Sequence, residues 1–217
     1  MKTTPEQART AARLLVEAGA LQFNDEVPFT YTSGLRGPVY VDCRRLIAFP
    51  AIRGALMDMM VEQLKDEPFD VIAGGETAGI PFAAFVAERM NLPMAYIRKK
   101  PKGHGRGARI EGIVNPGDRV LLVEDMATDG GSKVSFVEAV REAEGVCNHS
   151  AVPFFYGSFP GADERLAEHG ITLHRLCTWA DVLALCEDEK RLSPERIASI
   201  RAFLDNPDGW RAERGFA

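Results

Sequence analysis

Apolar positions along this chain change their period several times, and each change marks an element. From residue 4 to residue 20 they recur at helical spacing, with Ala8, Ala11, Ala12, Leu15 and Val16 on one face. Thr4 can cap that helix, Pro5 suits its first position and Gly19 can stop it. Short strand-like pieces follow at 21–23, 29–31 and 39–41, punctuated by Ser33-Gly34 and Gly37-Pro38. Residues 50–66 return to helical spacing, with Ile52, Leu56, Met59, Met60 and Leu64 on the apolar side.

The next pattern is a strand, a turn and a helix. Residues 69–73 read as a strand, 74–79 as a glycine-rich turn and 80–90 as a helix with Pro81 in its first turn. A short strand at 94–97 leads into 99–116, where nothing reads as regular structure. The four apolar residues Val120 to Val123 then read as a buried parallel strand. Glu124 and Asp125 stand where it ends, a turn of small residues runs from Ala127 to Ser132, and a helix follows with Val134, Val137, Ala139 and Val140 at helical spacing and Gly145 as its cap. Further on, 147–155 predicts a strand, 163–169 a short helix, 171–176 an edge strand and 179–186 a helix. Ser193 and Pro194 open a last helix to about Leu204, and residues from Asn206 onward read as a surface tail.

Strands alternating with helices argue for an α/β fold with a mostly parallel sheet and helices on both faces. Ligands of such sheets bind at the carboxyl ends of the strands. Three segments follow strands there: the Gly74 turn, the segment from Arg98 to Arg109, and the acidic corner at Glu124. The corner has the makings of an anion site, since glycines let backbone N–H groups close on a phosphate and a helix N-terminus favours negative charge. The acids suit hydroxyls and a developing positive charge beside that phosphate. It is neither a Walker loop nor a dinucleotide fingerprint, because neither glycine pattern is present. Taken locally, a βα turn with surface acids would read the same way.

Charge sharpens the picture. The 217-residue chain has a net charge of −5, which does not suggest bulk nucleic-acid binding. Yet 98–109 gathers Arg98, Lys99, Lys100, Lys102, Arg106 and Arg109 with His104, three glycines and no acid. A structureless run longer than about 12 residues in a compact domain is usually functional or disordered. Cations concentrated there suit a loop that closes on a polyanion; a solvated basic linker is the plain alternative. Hydrophobic residues make up 46% of the chain, enough for a sizeable core. No apolar run approaches membrane-spanning length, and the N-terminus lacks the apolar core of a signal peptide. Cys43, Cys147, Cys177 and Cys186 are scattered without a Cys-x-x-Cys, which favours free thiols in a reducing cytoplasm. His149, His169 and His174 share no metal-like spacing.

The corner at 120–132 resembles the phosphoribosyl-diphosphate loop of type I phosphoribosyltransferases: four apolar residues, two acids, two variable residues, then Ser/Thr-x-Gly-Gly/Thr-Ser/Thr. Arg98, Lys99, Lys102, His104 and Gly105 match the catalytic-loop pattern Arg-Lys-x-x-Lys-x-His-Gly of the orotate branch. Residues 29–42 resemble that branch's N-terminal hood, with Tyr40 and Val41 at an aromatic pair packed near orotate in some members.

The resemblance implies a type I phosphoribosyltransferase-like fold with a small N-terminal hood. It implies one domain over 1–217: helix and hood over about 1–48, core over about 49–205, and the tail. The activity implied is transfer of phosphoribosyl from 5-phosphoribosyl 1-diphosphate to orotate, with Mg²⁺, in a cytoplasmic homodimer whose active sites are shared between subunits. Neither nucleic acid nor membrane is an expected partner. Lys102, His104, Glu124 and Asp125 are the implied catalytic residues. Arg98, Lys99, Met126, Ala127, Thr128, Asp129, Gly130, Gly131 and Ser132 join them in binding the sugar diphosphate. Thr128 also matches an orotate contact, and Lys99 a residue that reaches the neighbouring subunit; no protein metal ligand is assigned.

Three positions depart from the family pattern. Thr32 replaces a frequent phosphate-binding lysine, and no Arg follows Phe154-Phe-Tyr-Gly157 where many members use one on orotate. Asp129 stands in the phosphate turn where Thr or Ala is usual, so a weaker hold on the phosphate is expected. Two other readings stay open: transfer to a different base, or a regulator that senses the sugar diphosphate without turnover.

Overall fold

The computed structural model describes residues 3–24, 26–31, 34–102, 109–128, 130–157 and 161–216. His104, Arg106, Asp129 and Thr32 lie outside the described residues. Helix α1 spans Pro5–Glu17, and its start is a reciprocal cap: Thr4 accepts from the Gln7 N–H while Gln7 accepts from that of Thr4. Two small antiparallel pairs follow, β1 (Leu21–Phe23) with a later strand, and β2 (Phe29–Thr30) with β3 (Arg36–Gly37); β1's partner is β4 (Val39–Val41). A 3-10 turn over Cys43–Ala48 leads to α2 (Pro50–Leu64).

The core then alternates. Strand β5 is Val71–Gly75, helix α3 is Gly79–Met90, and β6 is Met94–Ile97. Next come β7 (Ile110–Glu111), β8 (Arg119–Val123), β9 (Met126–Ala127), α4 (Gly131–Glu142) and β10 (Val146–Phe155). Helix α5 (Ala162–Glu168), β11 (Thr172–Thr178), α6 (Trp179–Asp188), α7 (Pro194–Asp205) and α8 (Pro207–Glu213) complete the chain. The main sheet runs β11-β10-β8-β5-β6-β7, with β9 also on β10; the pairings are parallel except β6 with β7.

Successive strand residues face opposite sides of the sheet. Ile72, Leu121 and Val123 pack into a core with residues of α1, α2, α3 and α6, whereas Val71, Ala73, Val120 and Leu122 pack with α4. Both faces are thus covered, as a parallel sheet requires. All four cysteines are buried and unpaired.

Several boundaries differ from the sequence expectation. Segment 99–116 contains β7, a two-residue strand too short to show a period. Ala127, expected to open the turn, extends with Met126 as β9 along Phe154 and Phe155 of β10. Gly145 does not end α4; Glu144 takes the left-handed conformation there, with φ of 67°. The buried face of α4 begins at Lys133 and Phe136, while Val134 is only partly buried.

The largest difference is at the C-terminus. The expected surface tail is a helix, α8, capped by Asn206, with Trp210 only 2% exposed. Trp210 packs against Phe203 and Phe216 and donates to Ser199 Oγ at 3.2 Å. Arg211, also buried, donates to the Arg36 carbonyl of the hood at 3.3 Å. Tertiary burial of an aromatic ring, invisible to local composition, orders this segment.

Candidate active site

Strands β5, β6 and β8 end on one edge of the sheet, and their following loops meet there. The shared cavity measures about 650 Å³ and is lined by residues of each: Glu76 and Thr77 after β5, Lys99 after β6, and Glu124, Asp125, Met126 and Thr128 after β8. The sequence therefore places these three loops correctly. Arg44, from the 3-10 turn, closes the hood side.

Glu124 and Asp125 behave differently despite being adjacent. The Glu124 N–H is tied to the Ala151 carbonyl of β10 at 3.1 Å, and its side chain is buried. Its Oε2 accepts from Lys133 Nζ at 2.8 Å, and Lys133 also donates to the Met126 carbonyl at 2.7 Å. Oε1 and the Phe136 ring lie against Gly75, where an added Cβ would collide with both, so a larger residue there would have to displace them. Asp125 is half-buried and faces the cavity. Burial, then the Glu124 charge, raises its carboxyl pKa above the ordinary value, and Lys133 opposes both.

The turn then delivers a helix N-terminus. Ala127 is buried, and its carbonyl accepts from the Tyr156 N–H at 2.9 Å. Gly130 caps α4 with φ of 81°, a left-handed conformation that suits glycine. Gly130, Ser132 and Thr128 line the cavity, so the positive end of α4 opens into it. Gly131 begins the helix itself. Expected positions Met126, Thr128, Gly130 and Ser132 are thus brought together, and Asp129 lies outside the described residues.

The basic segment is hinged at its base. The Arg98 N–H donates to the Arg109 carbonyl at 2.7 Å, continuing the pairing of β6 with β7. Arg109 is fastened to α4 through the Ser135 carbonyl at 3.0 Å. Glu76 accepts from the Lys99 N–H at 2.7 Å. Arg98 and Lys102 both approach Glu111 Oε1, at 3.3 and 3.8 Å, and neither is among the residues that line the cavity. His104 lies outside the described residues. In the hood, Tyr40 packs on Phe29 instead of lining the cavity.

Sequence reasoning missed Lys133, Arg44 and Glu111, and took Gly75 and Glu76 only as parts of the 74–79 turn. Lys133 did leave a signal: with Phe136, Val137 and Val140 it falls on one helical face, a lysine where an apolar residue belongs.

Residues 47–179, which contain the three loops after β5, β6 and β8, match the family model described as a phosphoribosyl transferase domain. The fold and site therefore define a phosphoribosyltransferase. An orotate phosphoribosyltransferase of Cereibacter sphaeroides is 56% identical over 96% of this chain and 92% of its own length. One of Roseobacter denitrificans is 55% identical over 95% of this chain and 93% of its own. The crystal structure of orotate phosphoribosyltransferase from Aeropyrum pernix superposes with a TM-score of 0.71 at 30% identity, covering 84% of this chain and 99% of that one. The chain belongs to the orotate phosphoribosyltransferase family.

Proposed function

We infer that this chain transfers the phosphoribosyl group of 5-phosphoribosyl 1-diphosphate to orotate, giving orotidine 5′-monophosphate and diphosphate in pyrimidine (UMP) biosynthesis. The observation that carries this reading is the single cavity that joins an acidic pair, a helix N-terminus and the root of a basic hairpin. The 5-phosphate sits at the Thr128 to Ser132 turn, where the α4 N-terminus favours its charge. The diphosphate lies towards Glu76 to Gly79 under the basic hairpin.

The C1–oxygen bond breaks with its electron pair leaving on diphosphate, and C1 bonds to a ring nitrogen of orotate, whose proton is released. Positive charge grows on the ribose ring, and Glu124 and Asp125 stabilise it while accepting from the 2- and 3-hydroxyls. Negative charge grows on the diphosphate, and Arg98, Lys102 and His104 stabilise it when the hairpin turns inward. Closure also keeps water from the cationic carbon. Thr128 contacts orotate.

Among the described residues, no group of three or more His, Cys, Asp or Glu could hold a metal. Mg²⁺ is commonly held by substrate phosphates and water rather than by an all-protein cage. Bound with the diphosphate, the ion supplies charge neutralisation; Arg98 and Lys102 hold that diphosphate. The working unit is a homodimer in the cytoplasm, with Lys99 serving the neighbouring subunit's site. The four unpaired thiols support that location.

Orotate absorbance followed with sugar diphosphate and Mg²⁺ tests the reading. Wild type turns over, and Lys102→Ala lowers kcat by about a hundredfold or more. Turnover with another base but not orotate would move the specificity. Tight binding of the sugar diphosphate without turnover on any base would make the chain a sensor.

A further inference from the structure

Lys133 has no place in the reaction as written, yet it is among the most buried side chains in the molecule. It is 1% exposed and stands in the first turn of α4. Two physical costs attach to it there. A buried ammonium is expensive unless fully paired. A cation at the first turn of a helix also opposes the positive end of the helix dipole. Stability alone does not explain such a residue, since apolar replacement of a buried ion pair is often neutral or stabilising.

Its contacts give the explanation. Nζ donates to Glu124 Oε2 at 2.8 Å and to the Met126 carbonyl at 2.7 Å. These partners are the residues immediately before and after Asp125. One amine therefore clamps both sides of the acid that faces the cavity. Glu124 is boxed from the other side by Gly75 and fixed at its backbone by β10. An ionised carboxylate has about four acceptor positions, so Glu124 can hold Lys133 and still accept from a sugar hydroxyl.

We propose that Lys133 is a positioning residue that presets Glu124 and Asp125 for the ribose of the sugar diphosphate. It acts through the acidic corner and not through orotate. The proposal rests on the assignment of Glu124 and Asp125 to the ribose hydroxyls. It deepens that assignment by naming what holds the pair in place.

Steady-state kinetics of Lys133→Met, Lys133→Gln, Glu124→Gln and the double variant Glu124→Gln/Lys133→Met test it. Methionine keeps the side chain's length and removes both donors. The KM for the sugar diphosphate should rise about ten- to a hundredfold, while the KM for orotate stays within about twofold of wild type. Glutamine, which can still donate, should recover most of the loss. Once Glu124 is glutamine, adding Lys133→Met should cost little more, because the carboxylate that the lysine orients has gone. If Lys133→Met fails to fold, the two Glu124→Gln backgrounds decide, since the methionine no longer abuts an unpaired charge. Equal loss for both substrates, additive effects in the double variant, or no rescue by glutamine would overturn the proposal. If Glu124→Gln itself leaves the sugar-diphosphate KM unchanged, the ribose assignment falls instead.

Discussion

Asp125 follows four buried strand residues and a buried glutamate, and the fold resists its charge. Burial first, and the Glu124 charge second, raise its carboxyl pKa above the ordinary value, while Lys133 lowers it. The folded chain thus binds this proton more tightly than the unfolded chain does. The linked stability is present at low pH and is lost as pH rises through the native titration, so at neutral pH the ionised acid is a burden. Asp125→Asn removes that burden and should raise the melting temperature, while abolishing orotate turnover. Thermal melts at pH 7 beside the absorbance assay check both halves. The two acids were legible in the sequence because they interrupt an apolar run just before small residues. Their division of labour was not, because it depends on Lys133 and Gly75, brought to Glu124 by two other elements.

At the scale of elements, the hood is held from the far end of the chain. Helix α8 buries Trp210 against Phe203 and Phe216 and sends Arg211 to the Arg36 carbonyl. Trp210→Ala should cost about 3–5 kcal/mol and lower the melting temperature by roughly 10 °C, measured by calorimetry. An unchanged melt would show that α8 contributes little. Long periodic elements were readable: α1, α2, α3 and α7 fall within a few residues of expectation, with Thr4 and Ser193 capping as read. Two-residue strands such as β7 and β9 have no period to read, and neighbouring strands create them. Asn-Pro-Asp-Gly-Trp has turn composition, yet Asn206 and Pro207 are also a good helix start.

For the whole molecule, the sheet and its two covered faces follow from alternating βα patterns, and so does the convergence of loops at one edge. The last two strands at one side of the sheet add a feature with no such pattern. His149 Nδ1 and His174 Nε2 are 2.9 Å apart across β10 and β11, their rings stacked. Burial, then the neighbouring His149, lowers the His174 pKa to about 4 from an ordinary 6.5. Between those values the unfolded chain binds a proton that the folded chain refuses, so stability falls as pH falls through this window. Melting temperatures recorded from pH 7 to pH 4 should decline, and less steeply in His174→Gln; parallel curves would refute the assignment. The four cysteines carry a different consequence. Burial raises the Cys147 thiol pKa to about 12 and those of Cys43 and Cys177 well above the ordinary value, leaving almost no thiolate to react. They sit in separate elements: Cys43 beneath the acidic corner, Cys147 and Cys177 in adjacent strands, Cys186 in α6. Native Cys43, Cys147 and Cys177 should therefore react only slowly with alkylating reagents. Each sulfur is a built-in clock whose labelling rate records how often its own part of the molecule opens.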